Sequence, residues 1–237
     1  ETFMKKLLYI LLISLTGFLS SCEDESSYDD SKVTYYVNFD MKGEQTTLVT
    51  VGSSYTDEGV VATEGETDIT SSVVKTGTVD PTKVGVYYIS YSATNVDGYS
   101  SSVTRTVIVY DPTITTDISG TYKVASGSYR YWLSSGAKVS FSGYDVALTY
   151  VAPGIFEASD YFGGYYDKRA GYGSTYAMKG FLKLNSDNTL EALSGTVAGW
   201  GDSFKSFDNA KYDPASGSVY WEVAYAGSMV FYITLTK

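Results

Sequence analysis

The chain has 237 residues, a formal net charge of −10, no histidine and a single cysteine. This composition excludes Ser–His–Asp and Cys–His catalysis, zinc sites built on His or Cys, and internal disulfides. The sequence has no basic patch for nucleic acid and no Walker-type phosphate loop. Val, Thr, Tyr and Ser recur in short alternating runs, so the sequence predicts an all-β protein.

The first residues have the pattern of a secretion signal. Lys5 and Lys6 precede an apolar run over residues 7–18. A membrane-spanning helix needs about 20 apolar residues, so this run has the length of a signal-peptide core instead. Residues 19–22 read Leu-Ser-Ser-Cys and resemble the bacterial lipobox. The resemblance implies a signal peptide over residues 1–21 and lipidation of Cys22. An ordinary secretory signal with an incidental cysteine is the alternative.

Residues 22–32 contain five acids and one lysine. Such a composition predicts a solvated tether that carries no core. The acidic run after Cys22 also resembles the surface-export signal of Bacteroides-type lipoproteins, although a plain spacer would have the same composition. The resemblance implies a lipid-anchored protein of the outer membrane that faces the cell exterior.

Residues 33–111 predict a β-sandwich domain. Strands are expected at residues 33–39, 48–51, 87–94 and 103–110, and Tyr87, Ile89, Tyr91 and Ala93 share one face. The pair Asp97-Gly98 predicts a tight hairpin turn, because glycine accepts positive φ. Strands at this spacing are typical of an immunoglobulin-like sandwich.

The same region resembles the Ig-like module of bacterial surface proteins. The residues that carry the resemblance are Gly52, Tyr55, Asp57, Gly59, Val60, Ala62, Asp68, Ile69, Thr70, residues 84–87, Tyr91, Asp97, Gly98 and residues 105–109. In that family the module is a spacer or adhesion unit. Arg105 lies on an otherwise apolar face, and we expect it to pair with an acid or to lie at an edge.

After a linker at residues 113–117, residues 118–237 predict a second β-domain. Turn signals at residues 185–188 and 213–217 separate strands, and residues 229–236 form the last strand. Seven to nine strands are expected, in an antiparallel barrel or sandwich. This segment contains ten acids and ten bases, and a net charge of zero favours an uncharged partner.

Aromatic residues concentrate in the second domain. They are densest over residues 160–181, which contain seven aromatic residues and five glycines. Tyr and Trp offer flat apolar faces with a polar tip, which suits the C–H face and hydroxyl rim of a sugar. The candidate ligand-binding residues are Tyr161, Tyr165, Tyr166, Asp167, Tyr172 and Trp200. The alternative is that these rings fill the interior of a small barrel and pair across strands.

Several segments of this domain resemble a C-terminal domain of Bacteroides-type surface lipoproteins. They are residues 161–166, 199–203, 212–214 and 235–237. That largely uncharacterised family pairs the domain with the Ig-like module, and its members accompany glycan-uptake systems. The resemblance implies a two-domain outer-membrane lipoprotein and, by association alone, a role with glycans.

Nothing in the sequence predicts an active site, a cofactor or a metal centre, although loop carboxylates could hold calcium. Glu157, Asp160, Asp167, Glu191, Asp202 and Glu222 could supply the carboxylate pair of a glycosidase, but their spacing singles out no pair. We therefore expect a membrane-anchored binding protein that is not an enzyme and that captures carbohydrate at the cell surface. Adhesion to another protein or scaffolding of a surface complex is the alternative, and a small glycosidase is a remote one.

Overall fold

The computed structural model describes residues 33–237. The predictions for residues 1–32, namely the signal peptide, the lipidated Cys22 and the acidic tether, lie outside the described residues. Within the described part of the chain, no helix is long and apolar enough to cross a membrane.

The first domain contains seven strands and is an Ig-like sandwich, as predicted. One sheet has the order β1-β3-β4 and the other has the order β2-β7-β6-β5, in which β2 runs parallel to β7. A short 3₁₀ helix, Thr70–Ser72, lies between β4 and β5. The strands are β1 Val37–Met41, β2 Thr46–Thr50, β3 Val60–Glu64, β4 Thr67–Asp68, β5 Val74–Thr76, β6 Gly85–Thr94 and β7 Ser100–Tyr110.

The long β6–β7 hairpin forms the centre of this domain. Ile89, Tyr91 and Ala93 are buried along one face of β6, which confirms the predicted alternation. Gly98 lies in the connecting turn with φ of +88°, a conformation that favours glycine. The first strand begins at Val37, four residues later than predicted.

Arg105 is fully buried on β7 and pairs with an acid, as predicted. Its guanidinium donates to Asp57 at 2.6 Å, and Lys75 reaches the same carboxylate at 2.7 Å. The hydroxyl of Tyr91 also donates to Asp57. Burial opposes ionisation of Asp57, but hydrogen bonds from Lys75 and Tyr91 and the charges of Lys75 and Arg105 outweigh it, so the pKa of Asp57 lies below its ordinary value.

The second domain is one curled antiparallel sheet of eleven strands, which forms a half-barrel. The main strand order is β10-β9-β18-β8-β11-β12-β13-β14. Three further strands pair with members of this path: β17 pairs with β18, β16 pairs with β17, and β15 pairs with β13. The strands are β8 Gly120–Val124, β9 Tyr129–Trp132, β10 Lys138–Ser140, β11 Asp145–Ala152, β12 Ile155–Ala158, β13 Met178–Leu184, β14 Leu190–Ala192, β15 Thr196–Val197, β16 Ser206–Asp213, β17 Ser218–Tyr225 and β18 Met229–Thr236.

This count exceeds the seven to nine strands that the sequence predicted. The additional strands are pieces of two to four residues, too short to show an alternating pattern of their own. The last strand has the predicted bounds, and every second residue from Met229 to Leu235 is buried. Its inward side chains pack with Trp221 and Tyr122 in the core of the sheet.

The two domains pack directly on each other through an apolar joint. Ile108 of β7 forms one buried cluster with Ala152 and Ile155, which flank the turn between β11 and β12. Val86 of β6 and Phe181 of β13 pack against the same cluster. The joint therefore involves two strands of the Ig-like sheet and the β11–β12–β13 region of the second domain.

Candidate functional site

The candidate site is built on the long connection between β12 and β13. This connection contains a π-helical turn, Tyr165–Arg169, and a 3₁₀ helix, Ser174–Tyr176. Ile155 and Leu184 lie at the other ends of these two strands, and Ile155 is part of the joint. The connection is therefore at the end of β12 and β13 that points away from the joint.

Asp160 fixes the base of the connection. Its carboxylate is buried and accepts hydrogen bonds from the backbone N–H groups of Phe162, Gly164 and Met178, at 2.7–3.0 Å. Burial raises the pKa of Asp160 to about 6, although the three N–H groups favour the charged form. One side chain thus ties both ends of the connection together, and it has a structural role.

Tyr161, a predicted ligand residue, belongs to the core. Its ring is fully buried and packs edge-on against Trp221 with ring centroids 5.7 Å apart. Its hydroxyl donates to the carbonyl of Phe181 at 2.9 Å, and the Trp221 indole donates to its carbonyl at 2.8 Å. Every polar group of Tyr161 is engaged, so this residue presents no surface to a ligand.

Tyr165 and Tyr166 are also buried, in contrast to the expectation of two exposed platforms. The ring of Tyr165 packs edge-on against Phe141 and Phe231. Tyr166 donates its hydroxyl to the sulfur of Met229 at 3.2 Å. The alternative of interior aromatics therefore applies to the first half of the Tyr-rich run, where the π-helical turn points both rings inward.

Two tyrosines from the second half of the run, Tyr172 and the half-buried Tyr176, form a cluster with Trp200 that we call the aromatic patch. The three rings form a triangle, with the Trp200 centroid 4.8 Å from Tyr176 and 6.2 Å from Tyr172, and with the two tyrosine centroids 5.6 Å apart. The exposed fractions of Tyr172 and Trp200 are 56% and 41%. The sequence prediction included these two residues and missed Tyr176.

The buried tyrosines support the patch from below. Tyr166 meets Trp200 edge-on at 4.8 Å and stacks on Tyr172 at 6.0 Å. Tyr225, another residue that the prediction missed, stacks on Trp200 at 6.0 Å and lies 6.2 Å from Tyr166. Edge-on and offset contacts are the favoured geometries for aromatic pairs, so the patch is a packed and pre-formed surface.

A glycine makes the close packing of the patch possible. A Cβ atom on Gly199 would lie 2.6 Å from the Tyr176 ring, which is shorter than any real Cβ contact. The backbone N–H of Gly199 also donates to the carbonyl of Thr175 at 2.8 Å. The segment that carries Trp200 therefore docks directly on the 3₁₀ helix of the connection.

Two carboxylates lie close to the patch. Asp202, which follows Trp200 by two residues, accepts a hydrogen bond from the Tyr225 hydroxyl at 2.7 Å. Burial and this hydrogen bond raise the pKa of Tyr225. Asp167 forms an ion pair with Lys168 at 3.0 Å, and its side chain is only 13% exposed. Of these two acids, Asp202 is the one with an exposed position beside the patch.

The other acids that could have formed a glycosidase pair are distributed over different elements. Glu191 on β14 pairs with Lys183 at 3.2 Å. Glu222 on β17 accepts from the Tyr220 hydroxyl at 2.7 Å, and Asp160 is bonded to three backbone N–H groups. Within residues 33–237, no group of three or more Asp, Glu or Cys side chains could hold a metal ion.

Two family models match the chain over adjacent segments. A bacterial surface protein Ig-like domain matches residues 39–109, and a C-terminal domain model matches residues 111–237, more than half of the chain. The lipoprotein BT2262 from Bacteroides thetaiotaomicron is 42% identical over 85% of this chain and 100% of that chain, with a TM-score of 0.49. This chain belongs to the same family as the lipoprotein BT2262.

A carbohydrate-binding module of a Clostridium perfringens protein, CBM51-2 of ZmpB in complex with GlcNAc, is a more distant match. It is 20% identical over 52% of this chain and 29% of that chain, with a TM-score of 0.27. A TM-score this low supports no conclusion about this protein. The comparison with curated proteins finds no match. The family assignment therefore rests on the sequence identity to BT2262 and on the match to the C-terminal domain model.

Proposed function

We propose that this protein is a non-catalytic lipoprotein of the bacterial cell surface that captures carbohydrate through the aromatic patch. The observation that carries the proposal is the patch itself: Trp200 and Tyr172 are exposed, pack with Tyr176, and lie against the buried ring of Tyr166. Flat aromatic faces match the apolar C–H face of a sugar ring, and the exposed carboxylate of Asp202, two residues after Trp200, can accept hydrogen bonds from its hydroxyl groups.

The position of the patch agrees with a capture role. It lies at the end of β12 and β13 away from the joint, so the Ig-like domain does not cover it. Because its rings are held by packing against Tyr166 and Tyr225, binding would not have to order them first. Such preorganisation reduces the entropic cost of binding.

The capture proposal is tested with the chain from residue 23 onward on a glycan array, followed by calorimetry on each hit. We expect Trp200→Ala and Tyr172→Ala each to weaken binding about tenfold or more, since stacking on one aromatic ring contributes about 1–3 kcal/mol. Tyr150→Ala is the matched control, because Tyr150 is exposed on β11 and is not part of the patch. Equal affinity of all three variants and the wild type would place the site elsewhere.

Membrane attachment is a separate part of the proposal and rests on the lipobox-like residues 19–22 and on the BT2262 family. We propose that Cys22 carries the lipid and that the protein faces outward from the outer membrane. Metabolic labelling with a radioactive or clickable fatty acid should label the wild type and a Ser31→Ala control but not Cys22→Ser. Protease treatment of intact cells then tests the outward orientation.

Adhesion to a protein is a second candidate, and the far end of the Ig-like domain favours it. Tyr36 and Tyr99 pack with ring centroids 5.5 Å apart, and Tyr35 and Val96 are exposed in the same region. Cross-linking on intact cells would test adhesion. A stoichiometric protein partner that is lost in Tyr36→Ser but retained in Trp200→Ala would favour adhesion over carbohydrate capture.

A further inference from the structure

Two guanidinium groups that the carbohydrate proposal does not use lie close to Tyr165, whose ring packs against Tyr166. Arg130 on β9 and Arg169 at the end of the π-helical turn both face the ring of Tyr165, at 4.6 and 5.2 Å from its centroid. Arg130 also lies 4.7 Å from the ring of Trp132. Elements that are distant in sequence thus bring two positive charges to one buried tyrosine.

Neither guanidinium is paired with a carboxylate of residues 33–237. Within the part of the chain that the structure describes, the ion pairs within 4.0 Å include neither Arg130 nor Arg169. The contrast with Arg105 is informative, because that buried arginine is paired with Asp57 at 2.6 Å. Lys168, which directly precedes Arg169 in the π-helical turn, is already neutralised by Asp167.

Arg130 in particular is poorly compensated. Its Nε atom is buried and has no acceptor among the described residues, as is also the case for the Nε of Arg105, but only Arg105 has a carboxylate beside it. Aromatic faces attract a guanidinium, but they accept no hydrogen bond of the strength that a carboxylate offers. A partly buried cation held between two rings is therefore a ready partner for an incoming anion, which could bind the guanidinium in a bidentate manner.

Tyr166 connects this charge to the patch. Its ring lies 4.8 Å from Trp200. It also packs edge-on against Tyr165 at 5.1 Å, and Arg130 lies 4.6 Å from the centroid of the Tyr165 ring. Two packed tyrosines, Tyr165 and Tyr166, thus connect the guanidinium of Arg130 to the ring of Trp200.

We infer that the ligand of the aromatic patch is an acidic glycan, whose carboxylate or sulfate group binds Arg130 and Arg169 while a sugar ring stacks on Trp200. This inference rests on the proposed carbohydrate capture and specifies its ligand class. It differs from the expectation of an uncharged partner, which the zero net charge of residues 118–237 suggested. A net charge of zero for the whole domain does not describe the local charge around Tyr165, where Arg130 and Arg169 form no ion pair with any of the described residues.

The test compares three probes by calorimetry: an oligogalacturonate, its fully methyl-esterified form, and a sulfated galactan oligosaccharide. The first two share a backbone and differ in charge, and the third distinguishes sulfate from carboxylate. We expect at least one anionic probe to bind about tenfold or more tightly than the neutral ester, because hydrogen bonds to charged groups are about twice as strong as neutral ones. Affinity for the anionic probe should fall with added salt.

Arg169→Gln and Arg130→Gln should each weaken binding of the anionic probe about tenfold, and Lys179→Gln is the control, since Lys179 is an exposed cation on β13. Thermal unfolding of each variant checks its fold. Since Arg130 is partly buried, Arg130→Lys provides a variant that keeps the charge and should retain more binding than Arg130→Gln.

The outcomes separate the two proposals. If the neutral ester binds as well as the anionic probes, or if the arginine variants bind normally while Trp200→Ala does not, the acidic ligand is wrong and carbohydrate capture stands. If Trp200→Ala leaves all binding unchanged, the patch is not the site and both proposals fall. Absence of binding to every anionic probe, with folded protein, overturns the acidic-glycan inference.

Discussion

Asp160 holds the connection between β12 and β13 in place from a buried position. Its two oxygens accept from three backbone N–H groups in a buried site. In Asp160→Asn, the amide nitrogen would face at least one of these donors and leave it without an acceptor. An unsatisfied buried donor costs about 1–3 kcal/mol, so we expect a loss of that size or larger in the free energy of unfolding at pH 7.

Urea denaturation measures this loss, with Asp145→Asn as the control. Asp145 is an exposed acid of the same domain that pairs with Lys123, and exposed pairs contribute about 0–1 kcal/mol. A stability of Asp160→Asn equal to that of the control would contradict the structural role of Asp160. The sequence indicated only that Asp160 was an acid near aromatic residues, so it entered the list of possible catalytic groups.

The buried pair of Asp57 and Arg105 predicts a dependence of stability on pH. Because the pKa of Asp57 is lowered in the folded protein, its contribution is present above the unfolded value near 3.8 and is lost as the pH falls through the folded value. Removing one partner of a buried pair costs about 3–5 kcal/mol. We therefore expect Asp57→Asn to be strongly destabilised at pH 7 and less destabilised, relative to the wild type, at pH 3.

The measurement is urea denaturation of both proteins at the two pH values, which lie on either side of the sequence pI near 4.4. Asp80→Asn is a suitable control, since Asp80 is an exposed acid bonded to Thr82 in the same domain. A destabilisation of Asp57→Asn that is unchanged at pH 3 would mean that packing, and not charge, accounts for the effect. The sequence did anticipate an acidic partner for Arg105, because an isolated charge on an apolar strand face must be compensated.

At the scale of elements, the docking of the Trp200 segment on the 3₁₀ helix predicts the effect of Gly199→Ala. The added methyl group would overlap the Tyr176 ring, whose atoms lie 2.6 Å from the Cβ position, and the ring would have to move. We expect weaker glycan binding, by about 1 kcal/mol or more, given that stacking on one ring contributes about 1–3 kcal/mol. Calorimetry with the best glycan hit measures this change.

A double-mutant cycle identifies the cause of that effect. If Gly199→Ala acts only by displacing Tyr176, it should have no further effect on affinity in a Tyr176→Ala background. Additive losses in the double variant would instead show that the substitution disturbs the backbone around Trp200.

The sequence predicted well those elements whose structure depends on neighbouring residues, such as an alternating strand or a tight turn. The last strand alternates inward and outward residues without interruption, and Asp97-Gly98 supplies a turn that favours positive φ. The Tyr-rich connection has no such period. Whether a ring there is buried or exposed depends on the contacts of Asp160 and on the π-helical turn, which sequence patterns do not reveal. Tyr161 and Tyr172 could therefore not be told apart from the sequence.

At the scale of the whole molecule, the joint determines how the patch is presented. Ile108 and Ile155 come from different domains, and both are completely buried in one cluster. Truncation of a buried isoleucine to alanine costs about 2–5 kcal/mol. Because Ile155 packs against the other domain, we expect part of that cost to appear as a loss of coupling between the two domains.

Differential scanning calorimetry tests this coupling. The wild type should unfold in one cooperative transition, whereas Ile155→Ala should unfold in two transitions or in one broadened transition. Leu48→Ala, an exposed position of the Ig-like domain, should leave the profile unchanged. Two separate transitions in the wild type would show that the joint is too weak to couple the domains. A coupled joint would hold the aromatic patch in a fixed direction relative to the Ig-like domain.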